Sequence, residues 1–252
     1  MLLTDLCTYL DDLLDSSQIE DYCPNGLQVA RQKQEVKKIA LAVTASLEVI
    51  QRAAEAGADV LIVHHGYFWK NESPNLVSMK YQRIQALLQR DIALLAYHLP
   101  LDVHSQLGNN VQLAKVLGLK MTGVIKPTGS LPLVAVGELE KPYSLVDLGL
   151  ECAKRLGREP ILLSGGDHPI HTIAWCTGAA QDFIEEAKAA GVDAYLSGEV
   201  SERTFYQAKE LGIHYLACGH HATERYGIQA LGEFLREQFG VEVTFFDVAN
   251  PI

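Results

Sequence analysis

The sequence predicts an α/β fold made of two similar, interlinked lobes, each with three layers and a mostly parallel or mixed sheet. Short apolar runs rich in β-branched residues alternate with amphipathic helical stretches along the chain, which is the pattern of right-handed βαβ units. In addition, a segment of twenty-one residues recurs later in the chain, which indicates an internal duplication.

The elements of the first lobe are predicted from the hydrophobic pattern. The N-terminal stretch MLLTDLCTYLDDLLD is an amphipathic helix, because it is too acidic for a signal peptide and too short and charged to span a bilayer. Strands follow in KIALAVTA, DVLIVHH and IALLAYH, separated by helices in SLEVIQRAAEAG and VSMKYQRIQALLQR. Asn109 or Asn110 caps a further helix through VQLAKVLG, which KMTGVI follows. The segment KPTGSLP marks a domain boundary, which gives predicted domains 1–127 and 128–252, with the alternative that the C-terminal segment packs back on the first lobe.

The repeat aligns residues 39–59 with residues 173–193 without gaps, at an offset of 134 residues, and eight of the twenty-one positions are identical. Under this alignment the two histidines of DVLIVHH correspond to Gly198 and Glu199, and the segments HLPLD and GHHATE each follow a later strand of their own half. Open α/β sheets bind ligands at the carboxyl ends of their strands. The repeat therefore places a set of imidazoles and carboxylates at equivalent edges of the two halves, namely His64, His65, His98, Asp102, Glu199, His220, His221 and Glu224.

This set indicates a metal site, because imidazole and carboxylate ligands suit zinc, iron, manganese, nickel or cobalt. Glu224 lies four residues after His220 and three after His221, so either histidine shares a helix face with it. The histidines of DVLIVHH end a strand, where a turn would let both rings face one site. The two histidines of DVLIVHH, one further histidine, Asp102 and Glu224 would make five protein ligands. Five ligands exceed what one catalytic ion normally takes, and a carboxylate can bridge two ions, so the pattern favours two ions.

The composition narrows the range of partners. The chain has 252 residues and a formal charge of −10, from 21 basic and 31 acidic side chains, which disfavours binding to nucleic-acid phosphates. The five cysteines are odd in number and lack CxxC spacing, which argues against disulfides and a thiolate zinc site. Nucleophile elbows, P-loops and dinucleotide fingerprints are absent from the sequence. We expect a cytoplasmic protein with no membrane partner.

Seven motifs span residues 21–225 in the order DYCPNGLQV, VTAS, LIVHHGYFWK, YHLPLD, LGNN, SGEVSE and GHHATER. Together they resemble the NIF-three-like family, whose YbgI-type members are often labelled GTP cyclohydrolase I type 2 homologs. The resemblance implies a two-lobed α/β monomer, a toroidal hexamer built as a trimer of dimers, and two divalent metal ions per chain bound between the lobes. It leaves His221 as a neighbour, makes Glu224 the bridging ligand, and assigns the full ligand set to His64, His65, Asp102, His220 and Glu224.

The resemblance leads to two functional hypotheses. In the first, the protein is a metal-dependent hydrolase of a nucleotide-like or other small heterocyclic substrate, and the cyclohydrolase label would mean attack of activated water on C8 of a guanine ring. Glu199 and His98 are its candidate acid–base residues. In the second, the protein is a non-catalytic metal-binding ring or a protein-interaction scaffold. An acid–base residue within reach of the ions distinguishes the two hypotheses, because an enzyme needs one and a storage protein does not.

Overall fold

The computed structural model describes residues 1–127 and 131–252 as a mixed α/β protein. Its strands are β1 (Gly26–Val29), β2 (Lys38–Thr44), β3 (Val60–His65), β4 (Ala93–Ala96), β5 (Lys120–Ile125), β6 (Val134–Tyr143), β7 (Ile161–Leu163), β8 (Ile170–Cys176), β9 (Ala194–Ser197), β10 (His214–Ala217) and β11 (Glu242–Phe245). Its α-helices are α1 (Leu3–Leu13), α2 (Leu47–Glu55), α3 (Ser78–Arg90), α4 (Leu99–Val103), α5 (Asn109–Leu117), α6 (Leu145–Leu156), α7 (Ile184–Ala189), α8 (Glu202–Leu211) and α9 (His220–Phe239).

The chain forms two compact units. The first consists of Met1–Leu107 together with Ile228–Ala249, and the second consists of Gly108–Gly227 together with Asn250–Ile252. Helix α9 therefore begins in the second unit and ends in the first.

These limits differ from the predicted domains 1–127 and 128–252. Helix α5 and strand β5 fall in the second unit, since β5 pairs antiparallel with β6. The alternative that the C-terminal segment packs back on the first lobe agrees with the structure: residues 228–249 belong to the first unit, because β11 pairs parallel with β2 and apolar side chains of α9 join the first unit's core. The predicted boundary segment KPTGSLP includes residues 128–130, which lie outside the described residues.

The first unit is built on a five-stranded sheet in the order β1-β4-β3-β2-β11. Only the β1–β4 pairing in it is antiparallel. Side chains of β2 alternate between two apolar cores: Ile39 and Leu41 pack with α1 and α9, whereas Ala40 and Ala42 pack with α2 and α3. The unit therefore has three layers, and its central strands are apolar on both faces, as parallel sheets require.

The second unit is built on a six-stranded sheet in the order β5-β6-β8-β9-β10-β7. Strands β8, β9 and β10 run parallel, and the outer pairings are antiparallel. Helices α5 and α6 pack on one face, where Leu113 and Leu148 share a core with the buried Trp175. Helices α7 and α8 contact β9 and β10.

The predicted α/β class with two lobes and mixed sheets is confirmed. The two units also share an order of elements, since α1-β1-β2-α2-β3-α3-β4 is matched by α6-β7-β8-α7-β9-α8-β10. The internal duplication stays an interpretation that this shared order supports. Within residues 1–127 and 131–252, none of the helices combines the length and apolar character that a membrane span needs.

Candidate metal centre

Two adjacent histidines, His64 and His65, stand at the carboxyl end of β3. His64 is fully buried and His65 is half-buried. The strand ends at His65, and the centroids of the two imidazole rings lie 4.5 Å apart. Both rings therefore reach the same edge of the sheet, although successive residues of a regular strand point to opposite faces.

Oxygen atoms hold these two rings in place. Nδ1 of His64 lies 3.0 Å from the carbonyl oxygen of Tyr97. Because a carbonyl oxygen only accepts hydrogen bonds, Nδ1 carries a proton, which leaves Nε2 as the ring position that can bind a metal ion or a second proton. That Nε2 lies 3.6 Å from a carboxylate oxygen of Asp102, which is buried in α4. Nδ1 of His65 lies 3.2 Å from the hydroxyl of Thr44 at the end of β2. Partners of this kind orient metal-ligating imidazoles.

His98, between β4 and α4, carries a carboxylate partner that the sequence did not reveal. Its Nδ1 lies 2.7 Å from Oδ1 of Asp21, whose side chain is 2% exposed. The other oxygen, Oδ2, accepts hydrogen bonds at 2.9 Å from the Asn25 amide and from the Leu99 backbone. Burial raises the pKa of Asp21, but the hydrogen bonds and the His98 charge outweigh it and hold that pKa below its ordinary value. Asp21 is therefore a stable anion beneath the His98 ring.

In the second unit, the first turn of α9 carries His220 and Glu224. Nε2 of His220 lies 3.0 Å from a carboxylate oxygen of Glu224, and Nδ1 lies 2.6 Å from Oε1 of Glu199, which follows β9. Burial lowers the pKa of His220, but the two carboxylates outweigh it and raise that pKa to about 9. The predicted placement of His220 and Glu224 in one helical turn is correct, and Glu199 lies against the same ring.

Gly178 makes room for this histidine–carboxylate pair. A Cβ atom on Gly178 would lie 2.1 Å from Oε1 of Glu224 and 3.1 Å from Nε2 of His220. Its backbone has a φ of +71°, which glycine adopts without strain. The Gly178 carbonyl accepts hydrogen bonds from the backbone N–H groups of Gly198 and Glu199, which fixes the loop after β8. No spacing signal in the sequence singled out this glycine.

Each unit thus groups its own predicted site residues. In the first unit, one ring nitrogen from each of His64, His65 and His98 lies within 4.8 Å of those of the other two. In the second unit, Glu199 and Glu224 flank His220, whereas His221 donates its backbone N–H to the Ile252 carbonyl. Imidazole nitrogens and carboxylate oxygens are the donors that divalent first-row metals take in proteins. The side chains present therefore fit the metal that the sequence predicts.

The sequence profile of the family described as Duf34/NIF3 (NGG1p interacting factor 3) matches residues 1–251. The chain belongs to this family. A Duf34/NIF3 relative from Pseudomonas aeruginosa, named GTP cyclohydrolase 1 type 2 homolog, is 52% identical over 249 residues, which are 99% of this chain and 98% of the relative. The family membership expected from the seven motifs is confirmed.

Solved structures share the fold along the whole chain. The structure of protein ybgI, described as of unknown function, is 48% identical, has a TM-score of 0.96, and covers 100% of both chains. The structure of TTHA1606 from Thermus thermophilus is 30% identical, has a TM-score of 0.86, and also covers 100% of both chains. This Duf34/NIF3 chain therefore has the same overall fold as its solved relatives.

Proposed function

We propose that this protein is a dinuclear metal-dependent hydrolase that acts on a nucleotide-like or other small heterocyclic substrate. The observation that carries the proposal is the orientation of its histidines. Nδ1 of His64 donates to a carbonyl and Nδ1 of His220 meets a carboxylate, so both rings turn Nε2 towards a neighbouring carboxylate. Oriented imidazoles paired with carboxylates are characteristic of protein metal sites.

Five side chains serve as the ligands in this proposal, namely His64, His65, Asp102, His220 and Glu224. Five are more than one catalytic ion takes, and two ions that share a carboxylate accommodate all of them. Glu224 is the proposed bridging ligand, since it is buried and follows His220 by one helical turn. The ions are divalent zinc, iron, manganese, nickel or cobalt, and bound ions of this kind acidify water and stabilise developing negative charge.

Glu199 is the proposed acid–base residue. One of its carboxylate oxygens lies against Nδ1 of His220, and its side chain is about one-third exposed, at 34%. A carboxylate with this exposure can exchange a proton with a substrate while it holds the His220 ring. His98 is the second acid–base candidate, and Asp21 keeps its ring in a fixed orientation.

The aromatic ring of Trp69, which lies next to the histidines, supports a heterocyclic substrate. The Trp69 ring centroid lies 5.0 Å from that of His98 and 5.9 Å from that of His65. Aromatic side chains stack on planar rings such as nucleobases. The names of the curated relatives, GTP cyclohydrolase 1 type 2 homolog, agree with a substrate of this class.

The alternative is a non-catalytic metal-binding ring or a protein-interaction scaffold, which the family description as an interacting factor favours.

A toroidal hexamer, built as a trimer of dimers in the cytoplasm, belongs to both versions of the proposal. Apolar side chains on α6 and α8 are exposed and could meet other subunits: Val146, Leu150, Phe205 and Tyr206. Light scattering of the purified chain tests the hexamer, and a monomeric mass would contradict the proposed ring.

The test of the hydrolase is a comparison of metal content and turnover in the parent and in Glu199→Gln. Glutamine still offers an oxygen to Nδ1 of His220, so we expect unchanged metal content at saturating metal. Turnover of nucleotide and heterocycle substrates should fall at least about 100-fold, since general acid–base catalysis contributes 10²–10⁴-fold. Loss of metal from this variant would contradict the catalytic role of Glu199. Metal-loaded parent that turns over no substrate would favour the scaffold.

A further inference from the structure

A groove lies between the last turns of α2 and α3 in the first unit. Its volume is about 380 Å³, within the range of about 300–1,000 Å³ that small-molecule sites occupy. Strands β2, β3 and β4 run parallel, so the helices that connect them run back from the carboxyl edge of the sheet to the opposite edge. The groove and the histidines of β3 therefore lie at opposite edges of the sheet.

The groove has an apolar floor and polar walls. Ile50 is fully buried in the floor, and Ala54 and Ala86 are partly buried beside it. The walls are exposed, and each helix supplies one amide and one charged group: Gln51 and Glu55 from α2, and Gln89 and Arg90 from α3. Carbon surface with a few polar groups around it is the usual composition of a ligand site.

The two charged side chains of the groove are not committed to other contacts. In the described part of the chain, neither Glu55 nor Arg90 makes a side-chain hydrogen bond or an ion pair, and nor do the two glutamines of the walls. The neighbouring Arg52 is different, because it donates a hydrogen bond to the Asp247 carbonyl at 2.8 Å. A carboxylate and a guanidinium therefore line one groove without pairing with each other, and both are available to a ligand.

We propose that this groove binds a free α-amino acid with an apolar side chain. The Arg90 guanidinium holds the carboxylate of the ligand, because its planar fork matches the geometry of a carboxylate. The Glu55 carboxylate holds the ammonium group, which the negative carboxyl ends of α2 and α3 also favour. The side chain of the ligand covers Ile50 and the two alanines of the floor.

Charge complementarity favours a zwitterion over simpler ligands. An anion would pair with Arg90 but would be repelled by Glu55, and a cation would meet the reverse. A residue inside a peptide carries neither charge, so it would leave both side chains without an ionic partner. An amino acid with an apolar side chain offers a group to each part of the groove. This site is separate from the proposed hydrolase and does not depend on it.

The experiment is isothermal titration calorimetry of the full chain with L-leucine and with two analogues that each lack one charge. N-acetyl-L-leucine lacks the ammonium group, and L-leucinamide lacks the carboxylate. We expect L-leucine to bind with a dissociation constant below about 1 mM. Each analogue should bind at least about 10-fold more weakly, as expected for the loss of a hydrogen bond to a charged group.

Substitutions in the walls assign each charge of the ligand to its partner. Glu55→Gln should weaken L-leucine binding at least about 10-fold without weakening the binding of N-acetyl-L-leucine. Arg90→Gln should weaken L-leucine binding similarly without weakening the binding of L-leucinamide. Lys209→Ala and Glu210→Ala change exposed charges in the last turn of α8, so they are the matched controls and should bind L-leucine as the parent does.

A substitution in the floor tests the position of the ligand without changing a charge. Ala54→Leu fills the floor with a residue that helices accept, and it should reduce the affinity for L-leucine at least about 10-fold. Circular dichroism melts establish that each variant is folded.

No binding of L-leucine to the parent at about 10 mM would overturn the inference. Equal affinities for L-leucine and its two analogues would also overturn it, as would wall variants that bind like the matched controls. These outcomes are distinct from failure of the proposed function. A chain that binds L-leucine as described but turns over no heterocycle would contradict only the hydrolase.

Discussion

Asp59 in the first unit and Asp193 in the second perform the same structural task. Oδ2 of Asp59 accepts hydrogen bonds from the backbone N–H groups of residues 37 and 38, at 2.8 and 3.0 Å. Oδ2 of Asp193 accepts them from residues 171 and 172, both at 2.9 Å. The three pairs of positions share the 134-residue offset of the sequence repeat. At this edge of their sheets, the two units therefore have equivalent aspartates with equivalent backbone hydrogen bonds.

The carboxyl edges of the two sheets differ. Thr44 and Gly178 are equivalent under the same offset, yet the Thr44 hydroxyl holds the His65 ring, whereas Gly178 clears space for Glu224. The first unit presents imidazoles from the end of a strand, and the second presents an imidazole and a carboxylate from the start of α9. A common scaffold thus acquires its chemistry from a few side chains at the carboxyl edge of its sheet. Four experiments test the similarity and the difference between the two units.

Substitution of Gly178 should have the largest effect. Gly178→Ala places a Cβ 2.1 Å from the Glu224 carboxylate and strains a φ of +71°. We expect loss of about 2–4 kcal/mol of unfolding free energy and weaker metal binding by the second unit. The equivalent change in the first unit, Thr44→Ala, removes one hydrogen bond and should cost about 1 kcal/mol. Urea denaturation measures both, and equal costs would contradict the different roles of the two positions.

Substitution of the paired aspartates should have intermediate effects. Burial raises the pKa of Asp59 and of Asp193, but the backbone hydrogen bonds outweigh it and lower both pKa values. Asp59→Asn and Asp193→Asn should each cost about 1–3 kcal/mol at pH 7. The loss of unfolding free energy should be greater for Asp59→Asn. The Arg31 side chain is 5% exposed and lies 2.7 Å from the Asp59 carboxylate, so this substitution removes a negative partner from a buried guanidinium.

The pH dependence of these variants follows from the direction of the pKa shifts. A carboxylate with a lowered folded pKa stabilises the fold fully above its unfolded pKa of about 3.9, and this stabilisation disappears as the pH falls through the lower folded pKa. The difference between parent and variant, measured by urea denaturation, should therefore shrink below about pH 4. A difference that stays constant between pH 7 and pH 3 would contradict the assignment of these carboxylates as charged acceptors.

Helix caps should give the smallest effects. The Ser46 hydroxyl accepts a hydrogen bond from the Val49 N–H at the start of α2, and the Ser144 hydroxyl accepts one from the Asp147 N–H at the start of α6. Ser46→Ala and Ser144→Ala should each lower the unfolding free energy by about 1 kcal/mol, with metal content unchanged. A change in metal content in either variant would show that the metal ligands depend on distant helix ends.

Much of this architecture is predictable from the sequence. The buried parallel strands are apolar runs, so β2, β3 and β4 were predictable, as was the placement of His220 and Glu224 in one helical turn. The antiparallel strands β1 and β7 were not predicted, because they are short and their pairing with β4 and β10 is decided by tertiary contacts. The sequence places a boundary at KPTGSLP, whereas the compact units divide after Leu107, since strand pairing and not local composition decides which unit β5 joins.

The site was predictable to the extent that its chemistry is local. The histidine pair and the His220–Glu224 spacing are visible in the sequence. Asp21 is not, because it acts through a ring 77 residues away, and Gly178 is not, because its role is the absence of a side chain. Such contributions depend on how distant segments pack, which periodicity and spacing do not encode.

In the proposed function, two metal ions share the Glu224 carboxylate. Elemental mass spectrometry tests this by measuring the metal content per chain of untagged protein, purified without added metal or chelator, beside the Glu224→Ala variant. We expect about two equivalents in the parent and about one or fewer in the variant. A parent that holds less than a few tenths of an equivalent, or a variant that holds as much as the parent, would contradict it.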